Sequence, residues 1–239
     1  YVMLGGPHER SAADIRAKAR SGNDPAVVQA VAEIAGPTID WLIERWGLDL
    51  HLIEGFTYPG HSRLRMHGPR SQSGTALQQM LLAAVDRSGV GMLTDASVED
   101  VYAGEDGRVV AVRFARPDGS LETVGCDAVI LACNGFGANP DLIARHIPTM
   151  ADAHYCGHES NTGDALQWGQ ALGADSADLG AYQGHGSVPL PHRSPLTWAV
   201  ITLGGIQVNT EGERFADEMQ GYSEHAQEVL KQPGQVAWN

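Results

Sequence analysis

Apolar residues recur at intervals of three or four across residues 28–46, which predicts a long amphipathic helix. The pair Asp24-Pro25 precedes this stripe and is typical of an N-cap followed by the first helical residue. Gly36-Pro37 is expected to kink or split the helix, because proline lacks the amide donor that a helix interior needs. Gly47 follows the last periodic residue and is expected to end the helix in a left-handed conformation.

Other helices are predicted on both sides of this stripe. A mixture of Arg, Lys and Ala over residues 9–21 favours one helix. A stripe of Leu, Met, Ala and Val predicts a second over about residues 74–88, with Gly89 at its end. A third is predicted over residues 165–172, where it stops before Gly173.

Alternating apolar and polar residues predict short strands in the middle of the chain. They lie at residues 98–102, 109–114 and 121–124, and Asp118-Gly119 is a hairpin signal between the last two. We therefore expect a short β-meander.

The run Ala128–Cys133 is continuously apolar, which is typical of a strand buried on both faces of a parallel sheet.

A last hairpin is predicted over residues 201–215, with its turn at residues 209–212. Helices mixed with a buried parallel strand place the chain in the α/β class.

The chain of 239 residues carries 16 Lys and Arg against 29 Asp and Glu, a formal net charge of −13. Such an acidic surface argues against binding nucleic acid or anionic lipid, since both need clusters of basic side chains. Hydrophobic residues make up 43%, as in a packed globular protein, and no uninterrupted apolar run approaches the ~20 residues that span a bilayer. Three cysteines cannot build a disulfide framework, so we expect a reducing compartment, the cytoplasm.

The sequence contains two candidate reactive sites, a metal site and a nucleophilic cysteine, and each has a simpler structural explanation. His154, Cys156 and His158 would share one face of an extended segment and could bind zinc, but a loop of ordinary polar residues is the alternative. Cys133 could be a nucleophile, although a buried structural thiol is the more common role of such a cysteine. The G-x-S-x-G elbow of serine hydrolases is absent.

A nucleotide site is the third candidate. Asn134-Gly135 directly follows the predicted parallel strand, and ligands of open α/β sheets lie at the carboxyl ends of such strands. Gly163-Asp164 opens a predicted helix, where backbone N–H groups can face a phosphate or a flavin edge; alternatively, Asp164 simply caps the helix. The dinucleotide fingerprint G-x-G-x-x-G is absent near the first residue.

Five stretches resemble segments of one flavoprotein family. They read N-D-P-A-V-V-Q-A-V with I-D-W-L at 23–31 and 39–42, A-V-I-L-A-C-N-G-F at 128–136, N-T-G-D-A at 161–165, Y-Q-G-H at 182–185 and G-G-I-Q-V-N-T-E-G-E-R-F at 204–215. Their order and gaps match the flavoprotein subunits of fumarate reductase and succinate dehydrogenase, a family that includes tricarballylate and ketosteroid dehydrogenases. The resemblance covers nearly the whole chain and implies FAD as the cofactor.

The same resemblance implies an incomplete two-domain organisation. Residues 1–185 match the central part of the FAD-binding domain, and residues 186–239 match the first part of an α+β substrate-capping domain. In the family, a βαβ unit with the G-x-G-x-x-G fingerprint comes first, and here it would lie before Tyr1. We therefore expect an interior piece of a longer protein, which alone binds FAD poorly or not at all.

The cofactor contacts implied by the resemblance fall on one strand and two loops. The strand passes the adenine end of FAD, the first loop matches the family's A-T-G-G strand end, and the second matches its G-D-G segment. The expected cofactor-binding residues are Val98, Ala132, Cys133, Asn134, Gly135, Gly163 and Asp164.

On the substrate side, the sequence departs from the dicarboxylate enzymes of the family. His185 matches the substrate-facing histidine of the Q-x-H-P-T motif, although Gly186-Ser187 follow it here and a satisfied buried histidine is the alternative. The family's proton-donating Arg becomes Ile201, and the acidic residue three positions earlier becomes Trp198. Since an aliphatic side chain cannot transfer a proton, we expect a more apolar substrate than fumarate or succinate.

The function implied by the resemblance is that of an FAD-dependent oxidoreductase. Hydride would pass between flavin N5 and a CH–CH or C=C substrate, with the protein orienting the substrate. The expected partners are a small-molecule substrate and an electron donor or acceptor that the sequence does not identify. The alternative is a non-catalytic acidic α/β module that binds a partner and carries no flavin.

Overall fold

The computed structural model describes residues 2–3, 8–20, 22–55, 57–189 and 195–239. Its contacts divide the chain into two compact units. The first unit contains the described residues up to Met92 together with Thr197–His225 and Trp238–Asn239. The second contains those of Leu93–Leu196 together with Ala226–Ala237. The predicted domain boundary after residue 185 concerns the longer family fold and stays a prediction.

Helices and short strands are mixed along the chain, in agreement with the predicted α/β class. In the described ranges, the α-helices are α1 (His8–Lys18), α2 (Pro25–Glu44), α3 (Gly74–Ser88), α4 (Pro140–His146), α5 (Asp164–Ala171), α6 (Ala199–Thr202) and α7 (Tyr222–Leu230). The strands are β1 (Val2–Met3), β2 (His51–Leu52), β3 (Met66–Gly68), β4 (Ser97–Ala103), β5 (Val109–Ala115) and β6 (Leu121–Gly125).

The core of the first unit forms where α2 packs between α1 and α3. Ala12 of α1 packs against Val28 of α2, and Ile39 of α2 packs against Ala84 of α3. On α2 the buried residues Val28, Ala32, Ala35 and Ile39 recur at helical spacing, so one side of this helix is removed from water. Strands β1, β3 and β2 form a small antiparallel sheet in that order in the same unit.

The predicted ends of α2 are confirmed. The Asp24 carboxylate accepts a hydrogen bond of 2.7 Å from the Ala26 amide, and Gly47 has a left-handed φ of +70°. The helix is not split at Pro37. Pro37 lies on the exposed side of the helix, where water can bind the carbonyl that loses its helical partner.

Helix α2 has the length and hydropathy of a membrane-spanning segment. Among the described helices, it is the one whose 20 residues and hydropathy of 1.3 meet that criterion. Core helices of globular proteins and signal sequences meet the same criterion, and 22% of the 18-residue window in α2 is buried.

The second unit contains the predicted β-meander. Strands β4, β5 and β6 pair antiparallel in sequence order, and the turn at Asp118-Gly119 joins the last two. Val98 of β4 lies opposite Phe114 of β5, with a bulge directly after it. Helices α4 and α5 follow the meander in the same unit.

The predicted parallel strand over Ala128–Cys133 is wrong. This segment has no strand structure, and Ile130 is 91% exposed. A strand buried on both faces needs hydrogen-bonded neighbours on its two edges. No segment in the described part of the chain pairs with it, so the apolar run lies open to solvent.

The predicted hairpin over residues 201–215 is only partly formed. Its turn is present, since the Gly212 amide donates to the Asn209 carbonyl at 3.0 Å. An isolated antiparallel bridge joins Val208 to Arg214 in place of two strands. The beginning of the predicted first strand is instead the end of helix α6.

Candidate functional site

The structure brings the two predicted cofactor loops together in the second unit. We call residues 132–138 the first loop and residues 161–164 the second loop. The Ala138 amide of the first loop donates to the Asn161 carbonyl of the second at 2.9 Å. The next residue, Asn139, donates from its side-chain Nδ2 to the Thr162 carbonyl at 3.0 Å. Residues more than 20 positions apart in the sequence therefore form one surface.

The first loop is open to solvent along its predicted FAD-binding part. The residues concerned, all exposed, are Ala132, Cys133, Asn134 and Gly135. Asn134 adopts a left-handed φ of +66°, and its Oδ1 accepts a hydrogen bond of 2.9 Å from the Gly135 amide. A Cβ at Gly135 would meet no atom within 4 Å, so the backbone here faces open space. The exposure of Cys133 also contradicts its interpretation as a buried structural thiol.

The second loop is fixed by Gly163. Its φ is +92°, and a Cβ there would lie 2.9 Å from the Cβ of Phe136 and 2.7 Å from Cδ1 of Leu142. Only glycine combines that backbone conformation with so close an approach of the first loop. Gly163 is also the N-cap of α5 and supplies no side-chain capping bond. The amides of Asp164 and Ala165 therefore have neither a helical nor a side-chain cap partner and are suited to bind a ligand, whereas the Leu166 amide donates to the Gly163 carbonyl at 3.1 Å.

Asp164 is the first residue of α5, so it does not cap the helix as one interpretation of the sequence proposed. Its carboxylate accepts a hydrogen bond of 2.9 Å from the Thr162 hydroxyl. A carboxylate in the first turn is favoured by the helix dipole. This carboxylate is suited to accept hydrogen bonds from hydroxyl or ring N–H groups of a ligand.

Val98 lies in the same unit and is linked to the second loop through α5. The Trp168 indole of α5 donates to the Glu99 carbonyl, one residue after Val98, at 3.2 Å. Val98 itself is 38% exposed, so part of an apolar side chain is available beside the meander. All seven predicted cofactor residues thus belong to one compact unit.

These loops fit the uncharged polar parts of FAD. They offer exposed backbone around Gly135, first-turn amides of α5 and one carboxylate, but residues 128–140 and 160–165 contain no Lys or Arg. Flavin ring carbonyls, ring N–H groups and ribose hydroxyls can pair with such a set. The pyrophosphate needs a different cradle, because two negative charges require cations or several converging amides.

His185 lies half-buried in the second unit. Its Nδ1 accepts a hydrogen bond of 3.2 Å from the Ser187 amide, so the neutral ring carries its proton on Nε2. Burial lowers the pKa of His185 below its ordinary value, which keeps the ring uncharged at neutral pH. Contact of His185 with substrate stays a prediction.

Trp198 and Ile201 lie in the packed interior of the first unit, with exposed fractions of 1% and 3%. The Trp198 ring contacts Tyr222 at 6.3 Å and His225 at 5.6 Å between centroids. Ile201 is a buried residue of helix α6. Their predicted contact with substrate stays a prediction.

The candidate zinc ligands do not converge. Cys156 Sγ lies 3.7 Å from the His154 carbonyl, and His158 Nδ1 pairs with the Ser160 hydroxyl at 2.7 Å. Throughout the described residues, no group of three or more His, Cys, Asp or Glu side chains could hold a metal ion. His154, Cys156 and His158 lie in an exposed loop.

Sequence reasoning missed Phe136, Asn139 and Trp168, which fix the geometry of the loops. Only Asn139 had a local signal, because an Asn-Pro pair is typical of a helix start. The contacts of Phe136 with Gly163, and of Trp168 with Glu99, join distant segments and leave no periodic pattern.

Three comparisons with known proteins agree on one family of flavoproteins. A model of the FAD binding domain matches residues 4–236. A probable fumarate reductase of Shewanella frigidimarina is 29% identical over 223 residues, which cover 92% of this chain and 37% of that protein. A flavocytochrome c3 fumarate reductase in its open conformation superposes with a TM-score of 0.81 at 26% identity, covering 98% of this chain and 42% of that one.

A 3-ketosteroid-Δ4-(5α)-dehydrogenase from Rhodococcus jostii shares the fold, with a TM-score of 0.73 at 20% identity. It is matched over 96% of this chain and 55% of its own. The chain thus spans well under two thirds of the length of the proteins it resembles.

Proposed function

The chain belongs to the FAD-binding domain family of the fumarate reductase flavoproteins, and from this we propose that it forms part of an oxidoreductase acting on a CH–CH or C=C bond. The family resemblance, the α/β class and FAD as cofactor are confirmed. This assignment decides against the flavin-free binding module. The activity, substrate and partners of the whole protein are our proposals.

One observation carries the proposal: two loops far apart in sequence are joined by the Ala138–Asn161 and Asn139–Thr162 hydrogen bonds. Together they present exposed glycine backbone, first-turn amides and the Asp164 carboxylate on one unit. This set suits the edge of a flavin or the hydroxyls of its ribose.

FAD, when bound, supplies the hydride chemistry. The first loop would bind the cofactor through its open backbone, and the second through the amides at the start of α5. His185 would contact the substrate through its half-buried, uncharged ring.

The first test is the absorption spectrum of the natural full-length polypeptide. We expect a flavin band and stoichiometric release of FAD on denaturation. A purified, folded protein that neither contains nor takes up flavin would contradict the proposal. The spectrum of residues 1–239 alone tests the separate expectation that this piece binds FAD poorly.

We propose further that the substrate is more apolar than fumarate or succinate. Two replacements support this proposal: Ile201 stands where the family pattern has an Arg, and Trp198 stands where it has an acidic residue. The names of several relatives point instead to fumarate-like substrates, which makes fumarate the decisive compound.

Fumarate turnover with reduced viologen by the full-length protein is expected to be very slow. Loss of a general acid lowers a rate by about 10² to 10⁴, so we expect at least a hundredfold deficit. The flavocytochrome c3 fumarate reductase, assayed in parallel, is the positive control. A rate comparable to that of the control would contradict the proposed substrate class.

We also propose a cytoplasmic protein with a small-molecule substrate and an electron donor or acceptor still to be identified. The net charge of −13 supports the proposal that neither nucleic acid nor an anionic membrane surface is a partner. The packing of Val28 against α1, and of Ile39 in a cluster with Ala84 of α3, supports the proposal that α2 spans no membrane.

A further inference from the structure

Asn139 uses both ends of its side-chain amide for different segments of the second unit. Its Oδ1 accepts a hydrogen bond of 3.1 Å from the Leu142 amide and so caps α4. Its Nδ2 donates to the Thr162 carbonyl, 23 residues further along the chain, at 3.0 Å. Its own backbone amide donates to the Phe136 carbonyl at 2.9 Å, which closes the turn at the end of the first loop.

We propose that Asn139 is a positioning residue for FAD, which holds the second loop at a fixed distance and angle from the first. This inference rests on the proposed function, because it assumes that both loops face the cofactor. Asn139 itself touches the two loops and acts on FAD through them.

The bridge from Asn139 adds a constraint that the neighbouring bond cannot supply alone. The Ala138–Asn161 bond joins the loops at one point, and a single hydrogen bond leaves them free to pivot. The Asn139–Thr162 bond lies one residue further along both segments, so the two bonds act as a short ladder. The segment they hold ends at Gly163, whose backbone packs against Phe136 of the first loop.

The capping role and the bridging role can be separated by substitution. An Asn139→Asp side chain has the same shape and remains a good cap, but it has no donor for the Thr162 carbonyl. An Asn139→Ser side chain also caps helices well, and its single hydroxyl is too short to serve both partners. If Asn139 were only a cap, both substitutions would be nearly silent.

The experiment measures FAD affinity, amide hydrogen exchange and thermal unfolding of the natural full-length polypeptide carrying either substitution. We expect FAD to bind about three- to tenfold more weakly in both variants, the effect of one lost hydrogen bond. We also expect faster exchange of the amides of Ala138, Leu166 and Gln167 in the FAD-free protein, with α4 unchanged, because these amides donate to carbonyls of the second loop. Asp24→Asn is the matched control, because it replaces the capping side chain of α2 in the first unit by one of the same shape.

The outcomes separate this inference from the proposed function. Wild-type affinity and wild-type exchange in both Asn139 variants would overturn the positioning role while leaving the function intact. Weaker FAD binding in Asn139→Asp alone would also overturn it, since the added charge would then be the cause. A wild-type protein without flavin would overturn the proposed function and with it any role toward FAD. Faster exchange of the Ala138, Leu166 and Gln167 amides would in that case still show the bridge between the loops.

Discussion

Replacing Gly163 with alanine is expected to abolish FAD binding and to lower the free energy of unfolding by about 2 to 5 kcal/mol. Part of this cost is backbone strain, because an alanine at a φ of +92° is in the left-handed region. The other part is steric. The new Cβ would lie 2.9 Å from the Cβ of Phe136, an atom fixed to the backbone of the first loop.

Gly173 provides the control for this substitution. It lies just beyond the other end of α5 with a φ of +84°, and a Cβ there would meet nothing within 4 Å. Gly173→Ala therefore carries the strain without the steric conflict, and we expect a loss of about 1 kcal/mol with FAD binding retained. The measurements are chemical denaturation and FAD titration of both variants. Equal affinity of the two variants for FAD would show that the approach of Phe136 to Gly163 has no bearing on the cofactor.

Helices whose ends carry their own signals could be predicted from the sequence. Asp24 caps α2 as expected, and Gly47 and Gly89 adopt the left-handed φ expected at helix ends. These signals are local, since a cap bonds an amide two or three residues away. The β-meander is local in the same way, because each strand pairs with the next one along the chain.

The segment Ala128–Cys133 shows where local patterns stop being informative. Its composition favours a buried strand, but burial depends on neighbours that a periodic pattern does not identify. In the described residues no such neighbour pairs with it, and Ile130 is 91% exposed. Pro37 is a local signal for a kink or break in α2, yet the helix continues through it. One lost hydrogen bond on an exposed face does not outweigh the packing of the rest of α2.

The sequence marks the parts of the candidate site but not their assembly. Glycine and asparagine at 134–135 and glycine at 163 marked the two loops, because such residues permit sharp turns and close approach. The contacts that join these loops, from Asn139 to Thr162 and from Phe136 to Gly163, depend on the tertiary fold. The substrate residues rested on family resemblance alone, because no local pattern distinguishes a buried Trp198 that packs from one that binds.

Removing Arg214, the exposed partner of the Arg214–Glu218 ion pair, is expected to destabilise the first unit more than removing Glu218, the buried partner. The Glu218 side chain is 2% exposed and accepts hydrogen bonds from Arg214 Nη2 at 2.6 Å and from the Gln207 amide at 2.8 Å. The Arg214 side chain is 53% exposed. Without Glu218, Arg214 can turn into water. Without Arg214, the Glu218 carboxylate stays buried with no cation beside it and keeps the hydrogen bond from the Gln207 amide, at a cost of about 1 to 3 kcal/mol.

The pH dependence of stability distinguishes this explanation from a simple loss of packing. Burial raises the pKa of Glu218, but the hydrogen bonds from Arg214 and from the Gln207 amide outweigh it and hold the pKa below its ordinary value. Because the folded pKa is lowered, the pair stabilises the protein above the ordinary pKa of a glutamate, and the contribution is lost as pH falls through the folded value. In Arg214→Gln, the Glu218 carboxyl stays buried but loses the hydrogen bond that lowers its pKa. The pKa of Glu218 is therefore expected to rise.

Thermal unfolding of the wild type, Arg214→Gln, Glu218→Gln and the double variant between pH 4 and pH 7 tests these expectations. At pH 7, Arg214→Gln should be the least stable, and adding Glu218→Gln to it should restore part of the loss by removing the buried charge. Its deficit against the wild type should shrink toward pH 4, because the unpaired Glu218 becomes protonated there. A deficit that is constant with pH, or a double variant less stable than Arg214→Gln, would show that the pair acts through packing and that its charge contributes nothing.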